Sequence, residues 1–131
     1  MAANISLFLL AQAAWASGEL ERAGRYFRDA LELTFEVSDR TNAAFSLQGL
    51  AAVAEARGEL HYAARLLGAA GALLEATGAY LYAQVDHEAD QRVVGAVREE
   101  LGERAWKGAQ DEGRAMTFEE AVAYALKDNG A

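Results

Sequence analysis

The stretch DHEAD places Asp86, His87, Glu88 and Asp90 within five residues, and carboxylates beside an imidazole are suitable metal ligands in kind. Asp86 and Asp90 share a helix face at i,i+4 spacing. The only other histidine, His61, lies in another part of the repeat pattern, and no H-E-x-x-H spacing occurs. The cluster therefore reads as a solvated helix face, and neither a metal nor any other cofactor is expected. The glycines Gly68 and Gly71 of LLGAAGALL lack the strand–loop–helix setting and the lysine of a phosphate cradle, and read as sites of close helix packing. Ser6, Ser17, Ser38 and Ser46 stand outside any nucleophile-elbow motif, and the chain has no cysteine. No catalytic residues are assigned, and a non-enzymatic protein is expected.

The elements that carry these residues follow from composition and repetition. At 131 residues with 53% apolar and 24% charged residues, the chain suits one globular domain. It has no proline and alanine is its commonest residue, which biases it to all-α structure. A net charge of −8 repels a phosphate backbone, so direct nucleic-acid binding is not expected. The absence of cysteine fits residence in the cytoplasm. The apolar start MAANISLFLLAQAAWA has no basic n-region and is too short for a membrane span of about 20 residues.

Two stretches are nearly alike: GELERAGRYFRDAL from Gly18 and GELHYAARLLGAAG from Gly58. Upstream, LFLLA at Leu7 to Ala11 matches LQGLA at Leu47 to Ala51 in the same register. Each copy reads as two helices joined at Gly–Glu–Leu, because glycine can adopt the left-handed conformation that ends a helix and the glutamate favours the start of the next. Ala14, Ala23, Ala54 and Ala63 allow close helix approach, while Leu7, Leu10 and Phe27 with their counterparts fill the space between layers. A lone hairpin cannot bury both faces, and stacked hairpins can. Val85, Ala89, Val93, Ala96, Val97 and Leu101 then recur on one face, and Gly102–Glu103 restates the turn. Trp106 and Ala109 face inward on the next helix, which is expected to end near Gly113. In TFEEAVAYAL, Thr117 and Glu120 have capping-box spacing.

These residues resemble the tetratricopeptide repeat, whose small-residue positions fall on Ala11, Ala23 and Ala30, then on Ala51, Ala63 and Ala70. The period is forty rather than about 34 residues and the family's helix-breaking proline is absent, so longer helices are expected. The extra residues are absorbed near ELTFEVSDR, where Asp39 can cap the following helix. The resemblance implies a short right-handed superhelix of about seven helices. Its hairpins would cover about residues 4–36, 40–77 and 82–113, with a C-terminal capping helix over 117–128. In such units the first helix of each hairpin lines a concave groove, which by register would present Phe8, Gln12, Trp15, Phe45, Gln48 and Glu55 to a peptide or partner helix.

The downstream runs ARLLGAAGALLEATGA and LGERAWKGAQDEGRAMTFEEAVAYAL are similar to the C-terminal helical region of ATPase-containing, LuxR-type transcriptional regulators and related predicted ATPases or cyclases of high-GC bacteria. The likeness covers roughly residues 50–128, and EGRAMTFEEAVAYAL is its most specific part. Family members often carry proline after TGA, where this chain has YLYA. The resemblance implies a non-catalytic interaction or scaffold region that binds a protein or peptide, or other domains of a larger parent chain. It also implies an alternative, a small-molecule (inducer) sensing domain, for which Tyr80, Tyr82 and Trp106 would form the pocket. Finally, ISLFLLAQAAWA is apolar around nearly its whole circumference, whereas a terminal surface helix keeps a polar face. Ile5 and Leu9 are therefore expected to be covered by a second copy in a homodimer.

Overall fold

In the computed structural model, the backbone is described for residues 2–78 and 87–127, and side chains for 7–78 and 91–127. These residues form seven helices and no strand: α1 (Ala2–Ala16), α2 (Leu20–Glu36), α3 (Arg40–Ala56), α4 (Leu60–Thr77), α5 (His87–Leu101), α6 (Glu103–Arg114) and α7 (Phe118–Lys127). Among them no helix is long and apolar enough to cross a membrane.

The forty-residue repeat divides once more in the structure. The turns after α1, α2 and α3 share one form: the N–H groups of Glu19, Asp39 and Glu59 donate to the carbonyls of Ala14, Thr34 and Ala54 at 2.9, 2.8 and 2.9 Å. The residue before each has positive φ, +80° at Gly18 and Gly58 and +56° at Ser38. Ser38 thus takes a left-handed conformation that costs a side-chain-bearing residue energy, and glycine does not mark the turn in the sequence. Asp39 offsets part of that cost by capping α3, its Oδ1 accepting from the Asn42 N–H at 3.1 Å and its Oδ2 from Asn42 Nδ2 at 2.7 Å. Ala23, Ala43 and Ala63, one per helix start, are wholly buried where successive helices meet. Thr34 is the one polar residue among the corresponding buried Ala14 and Ala54, and its hydroxyl donates to the Leu31 carbonyl at 2.7 Å.

α4 is the most buried helix, packed on α3 along one side and on α6 along the other. The α4–α6 contact runs backbone to backbone: a methyl at Gly113 would overlap the Arg65 carbonyl, and one at Gly68 the Gln110 carbonyl. Gln110 Nε2 donates to the Ala64 carbonyl at 2.9 Å, and the ion pairs Arg65–Glu112 (2.6 Å) and Arg114–Glu75 (2.5 Å) flank the crossing. α6 ends at Arg114, near Gly113 as expected, and Gly113 itself is the point at which its last turn packs on α4.

Gly102 differs from the earlier turn glycines. It is the single residue between α5 and α6, at φ 88° and ψ 157°, and is itself the N-cap, whereas Gly18 and Gly58 precede a separate N-cap glutamate. With no three-residue turn to fold it back, α6 packs chiefly on α4 and less on α5. The corner is tied by Arg98 and Glu103, whose Arg98 Nη2 donates to Glu103 Oε2 at 2.8 Å.

α7 begins with the capping box: the Glu120 N–H donates to Thr117 Oγ1 at 3.0 Å and the Thr117 N–H to Glu120 Oε1 at 2.9 Å. The packing of α7 is chiefly with α2, α3 and α4, so it crosses back over the earlier hairpins instead of covering the end made by α5 and α6. Phe118 is buried beside Phe35 at 5.4 Å between ring centres, with the Arg40 guanidinium over its ring at 4.7 Å. At the far end of α7, the Tyr62 hydroxyl donates to the Ala125 carbonyl at 2.9 Å and Arg65 donates to the Tyr124 hydroxyl at 3.2 Å. The backbone approach at Gly113 sends the chain out beside the start of α4, and Phe118 then fits the α2–α3 corner.

Candidate functional site

Helical spacing sets the walls of the principal site. Phe8, Gln12 and Trp15 lie at i, i+4 and i+7 on α1, and Phe45, Gln48, Ala52 and Glu55 follow the same stripe of α3. These two stripes face a cavity of about 360 Å³. Arg92, Val93 and Ala96 of α5 close a third side, and Phe27 of α2 reaches in between α1 and α3.

The reach of Phe27 depends on Gly49. The ring occupies the space where a Gly49 side chain would begin, so it lies directly on the α3 backbone. It meets Phe8 edge-on, with ring centres 5.8 Å apart at 68°, and Phe8 meets Phe45 at 6.4 Å and 48°. Such tilted contacts suit the ring quadrupoles and hold the three rings in fixed orientation. Phe27 is 3% exposed, while Phe8, Phe45 and Trp15 are half-buried, leaving part of each face open to the cavity.

The polar groups are few. Glu55 is half-buried and Arg92 exposed, and among the described residues neither takes part in an ion pair or a side-chain hydrogen bond. Beside the α4–α6 crossing, by contrast, Arg65 pairs with Glu112 and Arg114 with Glu75. The Glu112 hydrogen bond, chief among several causes, raises the Arg65 pKa above its ordinary value, and Arg114, by hydrogen bonding, holds the Glu75 carboxyl below its own.

The six residues assigned to a groove by register, Phe8, Gln12, Trp15, Phe45, Gln48 and Glu55, all border this one cavity. Phe27, Gly49, Ala52 and the α5 residues join them without having been singled out as site residues. Phe27 reads in sequence as packing between layers, and no sequence feature singles out Arg92. Trp106 is buried in the core on α6 and is not among the cavity's lining residues. Tyr80 and Tyr82, the other members of the alternative pocket, lie outside the described residues, as do the side chains of Ile5 and of DHEAD. Leu9 is 59% exposed. Ser46 is buried inside α3, Ser17 and Ser38 sit in turns, and His61 is exposed on α4, while the side chain of Ser6 lies outside the described residues. Among the described residues no group of three or more acidic, histidine or cysteine side chains is placed to hold a metal ion.

No family model matches the chain, and neither a curated protein nor a solved structure matches it.

Proposed function

We propose that this protein is a non-catalytic interaction module, and that the cavity between α1, α3 and α5 receives an apolar anchor side chain of a polypeptide partner. The observation that carries this reading is the convergence of aromatic faces from two repeated helices on one cavity with few polar groups. Helix-lined apolar grooves bind polypeptides through such anchors. On this reading α1–α4 are two tetratricopeptide-like hairpins of a right-handed superhelix, supported by the alanines that recur at each helix start. The setting is a bacterial signalling or transcriptional regulator in the cytoplasm, supported by the resemblance of residues 50–128 to such regulators.

A peptide library displayed on phage and selected on the intact chain tests this. Enriched peptides should share an apolar anchor and lose binding to a folded Phe8→Ala, Trp15→Ala, Phe45→Ala variant; retention of binding by that variant would remove the cavity from the account.

Inducer sensing is the second reading, now placed in the same cavity. It is favoured by closure on three sides and by a volume within the range of about 300–1,000 Å³ common for small-molecule sites.

The partner set includes a second copy of this chain, docked on α1. Leu10 repeats Leu50 forty residues later, yet Leu50 is 5% exposed between its neighbouring helices and Leu10 is 47% exposed. α1 carries no charged residue, so it offers two chains of net charge −8 a face on which they meet without like-charge repulsion.

A further inference from the structure

α1 and α3 hold the same register of the repeat forty residues apart, so their faces can be compared residue by residue. On α3, Gly49 and Val53 turn toward α2: the Phe27 ring lies on Gly49, and a methyl at Gly24 would meet Val53 at 3.7 Å. Leu50 and Val53 are buried, whereas the corresponding residues of α1, Leu10 and Ala13, are exposed together with Leu9. The covering that α2 gives α3 does not transfer to α1. On α3 the small position is Gly49, which admits a ring, and the large one is Val53, set against a glycine. α1 reverses the order, with large Leu9 and small Ala13. Continuing the stack head to tail would seat α1 of one copy on α4 of another, where Ala64 and Leu67 repeat Gly24 and Phe27. That place is taken: both residues are buried, and Gln110 of α6 donates to the Ala64 carbonyl. The face that α1 can meet on a second copy is therefore α1 itself, and such a contact closes on a twofold axis.

Leu9 and Ala13 lie on one face of α1, about 6 Å apart along its axis. A second α1 turned antiparallel about an axis midway between them sets each Leu9 over the other copy's Ala13, large against small, twice over. Parallel pairing would set Leu9 against Leu9 and Ala13 against Ala13, holding the helices apart at one level and leaving a void at the next. Antiparallel pairing also opposes the two helix dipoles, and α1 carries no charge to be buried. We infer that α1 pairs antiparallel with α1 of a second copy, Leu9 of each seated on Ala13 of the other, in a closed dimer. This rests on α1 being the contact between copies and adds its orientation, register and closure.

Oxidative cross-linking of the full chain, which has no cysteine of its own, tests the pairing. Chains carrying Leu9→Cys and Ala13→Cys are oxidised alone and as an equal mixture. The mixture should yield a disulfide-linked pair and each chain alone almost none, since only opposed positions come within the roughly 4–7 Å between Cα atoms that a disulfide spans. A second measurement needs no cysteine. In sedimentation, Leu9→Ala should weaken the dimer at least about tenfold, as each pair loses two leucine side chains from its contact. Leu9→Ala combined with Ala13→Leu exchanges large and small at both positions and should recover most of that loss, with the helical circular dichroism unchanged in both variants. Cross-linking of each chain with itself, none in the mixture, or no recovery by the exchanged variant would overturn the antiparallel pairing while leaving α1 as the contact that the parent dimer uses. A parent chain that is monomeric throughout the micromolar range would overturn the pairing and self-association on α1 together.

Discussion

The ring of Phe27 lies on the backbone of α3 at Gly49, in the space where any side chain at that position would start. This contact lets α2 contribute an aromatic floor to a cavity otherwise walled by α1, α3 and α5. Adding a methyl at Gly49 must move the ring, and the open space beside it is the cavity. Gly49→Ala should therefore cost only about 1 kcal/mol, at the low end of overpacking, while tilting Phe27 into the cavity and weakening ligand binding. Denaturant unfolding and a binding titration on the same variant check the two effects; a stable variant with unchanged binding would contradict this.

At Gly113 the opposing group is a carbonyl of the α4 main chain, which cannot swing aside. Gly113→Ala should cost about 3 kcal/mol, clearly more than Gly49→Ala, because α4 and α6 must separate and lose the Gln110–Ala64 hydrogen bond with it. Urea unfolding midpoints of the two variants, compared at one temperature, give the ranking directly.

The contrast between these glycines shows what the chain makes legible. The hairpins could be read because Gly18 and Gly58 open the same Gly–Glu–Leu turn in the same register, and the α1 and α3 walls because helical register alone determines which of Phe8, Gln12, Trp15, Phe45, Gln48 and Glu55 share a face. The break between α2 and α3 could be read from Asp39 as a cap, but the left-handed backbone of Ser38 could not, since no glycine marks it. Gly102 resembles its predecessors in sequence and in φ but is itself the N-cap of the next helix, with no separate capping residue between it and α6. The docking of α6 on α4 rests on a long-range backbone approach at Gly68 and Gly113: close helix packing at Gly68 could be read from its small-residue run, but not that α6 is the helix packed there. The same fact hides the path of α7 and the α5 wall at Arg92.

Acid should loosen the α4–α6 crossing. The Arg114 guanidinium, by hydrogen bonding, holds the Glu75 carboxyl below its ordinary value, and Arg98 does the same to Glu103 at the α5–α6 corner. A carboxyl with a depressed folded-state pKa contributes stability that is fully present above its unfolded value, and that contribution is lost as pH falls through the folded value. Both groups are exposed, so added salt should shrink the effect. Thermal melts from pH 7 down to pH 3 should show a decline that is shallower in the Glu75→Gln, Glu103→Gln double variant; identical slopes would rule these two pairs out as contributors.

The open side of α1 predicts self-association. Sedimentation equilibrium at micromolar concentration should give a dimer, and Leu9→Glu with Leu10→Glu should give a folded monomer, because charge on that face would be buried unpaired in the dimer. A monomeric parent chain would show that α1 is not the contact between copies.

The central claim is that binding takes place between α1, α3 and α5, and the two tryptophans provide an internal comparison. Trp15 lines the cavity and Trp106 is buried in the core on α6. In a ¹⁵N-labelled chain titrated with the tightest peptide from the displayed library, the Trp15 indole N–H resonance should shift progressively to saturation while that of Trp106 stays in place. Movement of Trp106 with Trp15 unaffected, or saturation with neither resonance moved, would place binding elsewhere and contradict the account.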